Sequence, residues 1–322
     1  MNSRSFYESI SADLTAVDAV IRQRLYSDVV LVRKVADYII GAGGKRMRPA
    51  LLLTAARACG YSGTHHIELA AVIEFIHTAT LLHDDVVDES TLRRGTETAN
   101  SLFGNAASVL VGDFLYSRAF QMMLSVPNPQ VTSVLADATN VIAEGEVLQL
   151  MNCHNADLSV AEYLHVVRSK TAKLFEAAGR LGGIIAAADA AIQDDLGDYG
   201  MHLGTAFQII DDVLDYSGEE NTTGKHLGDD LAEGKTTLPL IHVMCSGNHE
   251  HASVVRTAIE TGSRDDFLGV LAAVEACDAL TKSRTQGEAE AEAAKRCLDR
   301  IPDSSFKQTL IQFADFAVLR TY

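Results

Sequence analysis

The chain has 322 residues, with 27 Lys and Arg against 43 Asp and Glu and 47% apolar residues. A formal net charge of −16 excludes the broad basic surface of a nucleic-acid binder, and the apolar content excludes a disordered chain. No stretch approaches the ~20 uninterrupted apolar residues of a membrane span, and Met1 to Ser11 has no apolar signal-peptide core, so a soluble cytoplasmic protein is expected.

Only Pro49, Pro127, Pro129, Pro239 and Pro302 interrupt the sequence, which permits many long helices. Alternating strand patterns bounded by turns are hard to find. Helical runs are read over Asp28–Ile40, from Pro49 to Cys59, and over Thr64–Arg94, where Ile73, Ile76, Leu81 and Val87 follow a three-to-four spacing. Asn105–Val126 and Gln130–Asn152 come next, then a helix begun by Ser159 with Glu162 three residues on, a capping-box signature. Asp189–Tyr216, Thr236–Cys245, His251–Thr261, Asp265–Cys277, Thr281–Arg300 and Ser304–Arg320 complete the set. The runs from Thr64 to Tyr216 suit the centre of a bundle, and the more charged ones after His249 look peripheral. The expectation is one all-α domain, a single large helical bundle over residues 1–322. Cys59, Cys153, Cys245, Cys277 and Cys297 form no CxxC pair and read as free, mostly buried thiols.

Two segments carry the chemistry. Asp84-Asp85-Val86-Val87-Asp88 and Asp211-Asp212-Val213-Leu214-Asp215 are both Asp-Asp-x-x-Asp in apolar surroundings. On a helix, i and i+4 share a face and i+1 lies about 100° round, so Asp84 with Asp88 and Asp211 with Asp215 each form a claw. Such crowding destabilises a helix unless a cation neutralises it. Oxygen donors select a hard ion such as Mg²⁺, completed by phosphate oxygens. Basic residues suited to phosphate lie nearby: Lys45 and Arg48 beside Gly43 and Gly44 at a helix start, the pair Arg93 and Arg94, and Lys170, Lys225 and Lys235. Gly228 to Thr236 imitates a P-loop but has five residues between its glycines and no preceding strand.

A rival metal reading exists. Glu74-x-x-His77 and Glu162-x-x-His165 repeat the Glu-x-x-His pattern of di-iron bundles, and Glu144 or Glu146 is available as a further ligand. That reading leaves both Asp motifs and the arginine pair without a role.

In order along the chain, Gly-Gly-Lys-Arg-x-Arg-Pro, the first Asp motif with Leu92-Arg93-Arg94-Gly95, Lys170-Thr171, Phe207-Gln208 with the second Asp motif, and Gly234-Lys235-Thr236-Thr237-Leu238-Pro239 resemble the trans-prenyl diphosphate synthases. The resemblance is strong over about Asp28 to Cys245. It implies an all-helical fold with a deep central cavity flanked by the two Asp motifs, three Mg²⁺, and a homodimer. It also implies isopentenyl diphosphate and an allylic diphosphate as substrates, and a long-chain, octaprenyl-type product for a quinone side chain. Residue by residue, Asp84, Asp85, Asp88, Asp211, Asp212 and Asp215 match metal positions. Arg93, Lys170, Gln208, Lys225 and Lys235 match allylic-substrate positions. Lys45, Arg48, His77 and Arg94 match isopentenyl diphosphate positions, and Thr171 would turn its oxygen dipole to the allylic cation. Ala79, the fifth residue before Asp84, with Thr80 beside it, would be a chain-length gate left open by small side chains. Met122 or Met123 would line the floor. No membrane anchor is evident.

Overall fold

The computed structural model describes residues 7–41, 43–93, 95–217, 227–265 and 267–320. Arg94 and Lys225, both expected in the site, lie outside the described residues. The helices in chain order are α1 (Ser11–Arg24), α2 (Val30–Gly41), α3 (Met47–Ala58), α4 (His65–Val87), α5 (Ala99–Phe103), α6 (Asn105–Met123), α7 (Pro129–Asn152) and α8 (Val160–Val167). A π-helical turn (Arg168–Ala172) leads into α9 (Lys173–Ile185) and α10 (Ala190–Ser217). Then come α11 (Asp229–Ala232), α12 (Leu238–Met244), α13 (His249–Thr261), α14 (Phe267–Ala276), α15 (Ala279–Cys297) and α16 (Ser305–Leu319). The described sheet is a hairpin of β1 (Leu92–Arg93) and β2 (Thr96–Glu97), antiparallel with Arg93 opposite Thr96.

The chain forms two compact units, one of Met1–Thr139, Leu174–Gly200 and Lys295–Phe313, the other of Asn140–Lys173, Met201–Ala294 and Ala314–Tyr322. In the first, α3 and α4 are buried on nearly every side, as their continuous apolar sequence requires, and α4 packs along α6. Helix α1 is one the sequence reading did not pick out, although Leu14, Val17 and Ile21 have the spacing of one face. It is docked by Asp13, which receives both Nε (2.9 Å) and Nη2 (2.8 Å) of Arg57 and lies 3.3 Å from the buried His66. In the second unit, Tyr216, Leu231, Leu240, Val255, Ile259 and Val270 form one core and Leu158, Tyr163, Val167, Ile209, Leu238 and Ile241 another.

Three expectations are corrected. The helix read to Arg94 stops at Val87. Glu89 takes φ +52° and Ser90 donates to the Asp85 carbonyl, which reverses the chain into a hairpin turning at Gly95 (φ +75°). Two-residue strands are too short to show alternation in sequence. Helix α15 is not peripheral, since Ala279, Ser283, Gly287 and Ala291 are buried, with Gly287 against Ile209 and Ile210. Small residues at helical spacing form its inward face, and Glu290 on the same helix pairs with Arg168 (3.1 Å) and His202 (2.5 Å). Of the thiols only Cys277 is buried; Cys245 is exposed and the other three are half-buried.

Candidate active site

The first Asp motif ends α4. Asp84 and Asp88 lie one turn apart and are half-buried, while Asp85 is fully buried. The i, i+4 claw is therefore the accessible pair, and the middle carboxylate turns inward as the 100° rotation requires. Arg93 grips it: Nη2 is 2.6 Å and Nε 2.7 Å from Asp85 Oδ1. Asn100 Nδ2 donates to the carbonyls of Asp85 (2.9 Å) and Ser90 (3.2 Å), fixing the reversal that delivers Arg93. Burial pushes the Asp85 carboxyl above the ordinary carboxylate range against the opposing pull of Arg93.

The basic start of α3 lies in the same unit. Arg48 Nη1 is 3.2 Å from His77 Nε2, and its guanidinium stacks 4.4 Å over the Phe175 ring. Lys45 precedes α3, its carbonyl receiving the Tyr7 hydroxyl. Ala79 is fully buried on α4, as are Met122 and Met123 on α6, and the Thr80 hydroxyl bonds back to the His77 carbonyl at 2.8 Å.

The second unit carries the other motif on α10. Asp212 is buried and accepts from the Tyr163 hydroxyl (2.6 Å) and Gln208 Nε2 (2.7 Å). Thr171 Oγ1 in turn donates to Gln208 Oε1 at 3.1 Å. Burial, reinforced by the charge of Asp230, pushes the Asp212 carboxyl to about 8. Asp211 accepts from Arg320 Nη1 at 3.1 Å; that guanidinium is buried, stacked 3.8 Å over Phe207, and also donates to the Phe207 carbonyl. Asp215 Oδ2 receives the Asp230 backbone N–H at 3.3 Å.

Lys170 sits in the π-helical turn, with Nζ 2.6 Å from Glu146 Oε2 and 2.5 Å from Gln149 Oε1. Gly145 lets the backbone of α7 come close to this turn: a Cβ there would lie 2.7 Å from the Lys170 backbone nitrogen. A π-turn in an α-helical run is often a functional-site feature. Lys235 is held by Glu233 at 2.6 Å. The sequence reading missed Tyr163 and Arg320, and it gave Glu146 no role beyond a possible ligand in the rival di-iron arrangement.

The di-iron arrangement is not assembled. Glu74 pairs with Arg46 (2.6 Å), and Glu162 closes the predicted capping box on Ser159 (2.9 and 2.7 Å). His165 is exposed. Among the described residues no three His, Cys, Asp or Glu side chains form a cage by themselves. The fit to a hard cation rests on donor chemistry: Asp85 Oδ2 is buried with no hydrogen-bond partner, an anionic oxygen that a cation satisfies. Beside it stand Asp84 and Asp88, and Mg²⁺ takes one or two carboxylates with phosphate completing its shell.

Residues 29–274 match the polyprenyl synthetase family. The chain is 52% identical to octaprenyl diphosphate synthase of Escherichia coli, over 99% of both chains. It is 43% identical to the geranyl-diphosphate-specific all-trans-nonaprenyl-diphosphate synthase of Rhodobacter capsulatus, over 97% of this chain and 96% of that one. Among solved structures, the polyprenyl synthase of Caulobacter crescentus complexed with calcium and isoprenyl diphosphate superposes with a TM-score of 0.96 at 43% identity, covering 100% of this chain and 98% of that one. The chain belongs to the polyprenyl synthetase family and has its all-α isoprenoid synthase fold. It is a prenyltransferase, of a class that works with a divalent metal. Among the described residues no helix is long and apolar enough to cross a membrane.

Proposed function

We propose that the protein condenses isopentenyl diphosphate units onto an allylic diphosphate such as farnesyl diphosphate and stops at octaprenyl diphosphate, for a quinone side chain. The observation that carries this is the pairing of Asp85 with Arg93 beside the Asp84–Asp88 claw, an anion-and-cation set that suits a metal-bridged diphosphate. Full-length identity to an octaprenyl synthase supports the product length. The family match runs through both compact units, which supports their acting as one catalytic domain.

In this reading Arg93, Lys170, Lys225 and Lys235 hold the allylic diphosphate. Lys45, Arg48, His77 and Arg94 hold isopentenyl diphosphate. The six Asp residues are the metal set, with Asp85 and Asp212 fixed in place by Arg93 and by Tyr163 with Gln208. The Mg²⁺ ions that these carboxylates would hold, three per site, would supply charge neutralisation for the departing diphosphate. The arginine and lysine donors stabilise that leaving group, breaking the allylic C–O bond. Thr171 and Gln208, joined at 3.1 Å, turn oxygen dipoles toward the allylic cation. The isopentenyl alkene attacks, a proton passes to the departed diphosphate, and the longer allylic product re-enters the cycle. Ala79 leaves room for the growing tail, with Met122 or Met123 at its end.

Leu110 and Phe120 on α6 and Leu124 just after it are 66%, 40% and 70% exposed, and such an apolar face supports a homodimer. The reaction is tested with purified protein, farnesyl diphosphate, excess isopentenyl diphosphate and Mg²⁺, with and without chelator, products being sized by mass spectrometry. A chelator-sensitive ladder ending at octaprenyl diphosphate is expected. No elongation overturns the reading, and a different end point overturns the product length alone.

A further inference from the structure

Behind the segment Gly43 to Arg48 lies a set of side chains with no part in the chemistry above. The backbone here is unusual. Gly43 has φ +71°, and Arg46, which opens α3, sits at φ +50° and ψ 26°. Glycine adopts this left-handed region freely; a residue with a long side chain stays there where its surroundings hold it. The Arg46 side chain supplies that hold. Its Nη1 lies 2.6 Å from Glu74 Oε1 on α4, a contact outside ideal hydrogen-bond angles, and its Nη2 lies 3.6 Å from Asp18 on α1.

A second anchor reaches the preceding residue. The Tyr7 hydroxyl donates to the Lys45 carbonyl, and the Tyr7 ring packs 6.0 Å from that of Phe313. Burial, with the charge of Glu74, pushes the Tyr7 phenol up, which extends to higher pH the range over which it donates. Helix α4 thus grips the segment at two points one turn apart: Glu74 takes Arg46, and His77 meets Arg48 at 3.2 Å. Residues i and i+3 present to the same side of a helix, so the two grips share one face. The Glu-x-x-His pattern that suggests a metal pair in sequence is, in the fold, a pair of arginine holders.

We propose that Arg46, Glu74 and Tyr7 are positioning residues for the isopentenyl diphosphate subsite: they lock the backbone that aims Lys45 and Arg48 without touching substrate. This rests on the assignment of Lys45, Arg48 and His77 to that subsite. A preformed subsite lowers the ordering cost of binding, so loosening it should weaken one substrate and spare the other.

The test is steady-state kinetics on the full chain with Mg²⁺, varying each substrate against saturating partner, with melting temperatures recorded in parallel. Lys45→Ala is the reference for the subsite. Glu74→Gln, Tyr7→Phe and Arg46→Gly are each expected to raise KM for isopentenyl diphosphate about tenfold, the scale on which contacting residues couple. KM for farnesyl diphosphate and kcat should stay at parent values. Arg46→Gly is informative because glycine accepts the left-handed backbone without strain, so its KM effect reports the lost anchor. Arg46→Lys should recover most of the affinity. If Lys45→Ala leaves KM for isopentenyl diphosphate unchanged, the subsite assignment itself is wrong. If Lys45→Ala raises it while the other three do not, or if they raise both KM values alike, the positioning role is overturned. Tighter isopentenyl diphosphate binding in Glu74→Gln also overturns it, by making Arg46 a restrained ligand instead of an anchor.

Discussion

Asp85 and Arg93 meet across the chain reversal that ends α4, with two guanidinium nitrogens at 2.6 and 2.7 Å on the same carboxylate oxygen. The carboxylate is fully buried, so the pair is structural as well as chemical. Replacing Arg93 by Ala strands a buried charge, and the expected cost is about 3 kcal/mol in urea unfolding. The double variant Arg93→Ala with Asp85→Asn should recover much of that stability and none of the activity. Equal stability of Arg93→Ala and the parent would show that the pair is not buried in solution.

Tyr163→Phe removes the 2.6 Å donor to Asp212. That hydrogen bond lowers the Asp212 carboxyl against burial and the Asp230 charge. Without it the carboxyl rises further and ionises only at higher pH. The acid limb of the activity profile should move to higher pH, and more Mg²⁺ should be needed for half-maximal rate at neutral pH. An unchanged profile and Mg²⁺ requirement would remove Tyr163 from the site.

Ala79 is fully buried on α4. A tyrosine there adds a ring to packed space, where volume has few places to go. Ala79→Tyr should give products shortened by several units, read by mass spectrometry, with the first condensation retained. The same product ladder as the parent would remove Ala79 as the gate.

His66 gives stability a dependence on pH. Burial lowers its pKa below 6.5 despite the charge of Asp13. The native state therefore refuses a proton that the unfolded chain accepts, and stability is lost as pH falls through 6.5 toward the native value. His242, also lowered by burial, acts with the same sign. For Asp13, burial is outweighed by Arg57 and His66, its pKa ends below 3.8, and its own contribution is lost only in stronger acid. The melting temperature should drop between about pH 7.5 and 5.5, with a shallower slope in His66→Gln. An identical slope would assign the dependence elsewhere.

The sequence made the two claws legible because they depend on local helical geometry: Asp84 with Asp88, and Asp211 with Asp215, needed only the i, i+4 rule. The Ser159 capping box was legible for the same reason. The partners of the second motif's carboxylates were hidden by distance along the chain. Tyr163 lies 49 residues from Asp212 and Arg320 lies 109 from Asp211, and no local pattern marks either. Glu74 shows the converse failure: its spacing from His77 was visible, but Arg46 claims it through a tertiary contact. The π-turn was invisible because it changes hydrogen-bonding register without changing residue types.

That turn, Arg168–Ala172, has an implication for how the chain can change. It accommodates about one residue more per turn than an α-helix. Deleting a single residue there would let α8 and α9 run together as one regular helix, with better backbone geometry. The deletion would also swing Lys170 or Thr171 by about 100°, away from Glu146, Gln149 and Gln208. The most regular helix and the one that brings Lys170 and Thr171 to these partners are thus a single deletion apart.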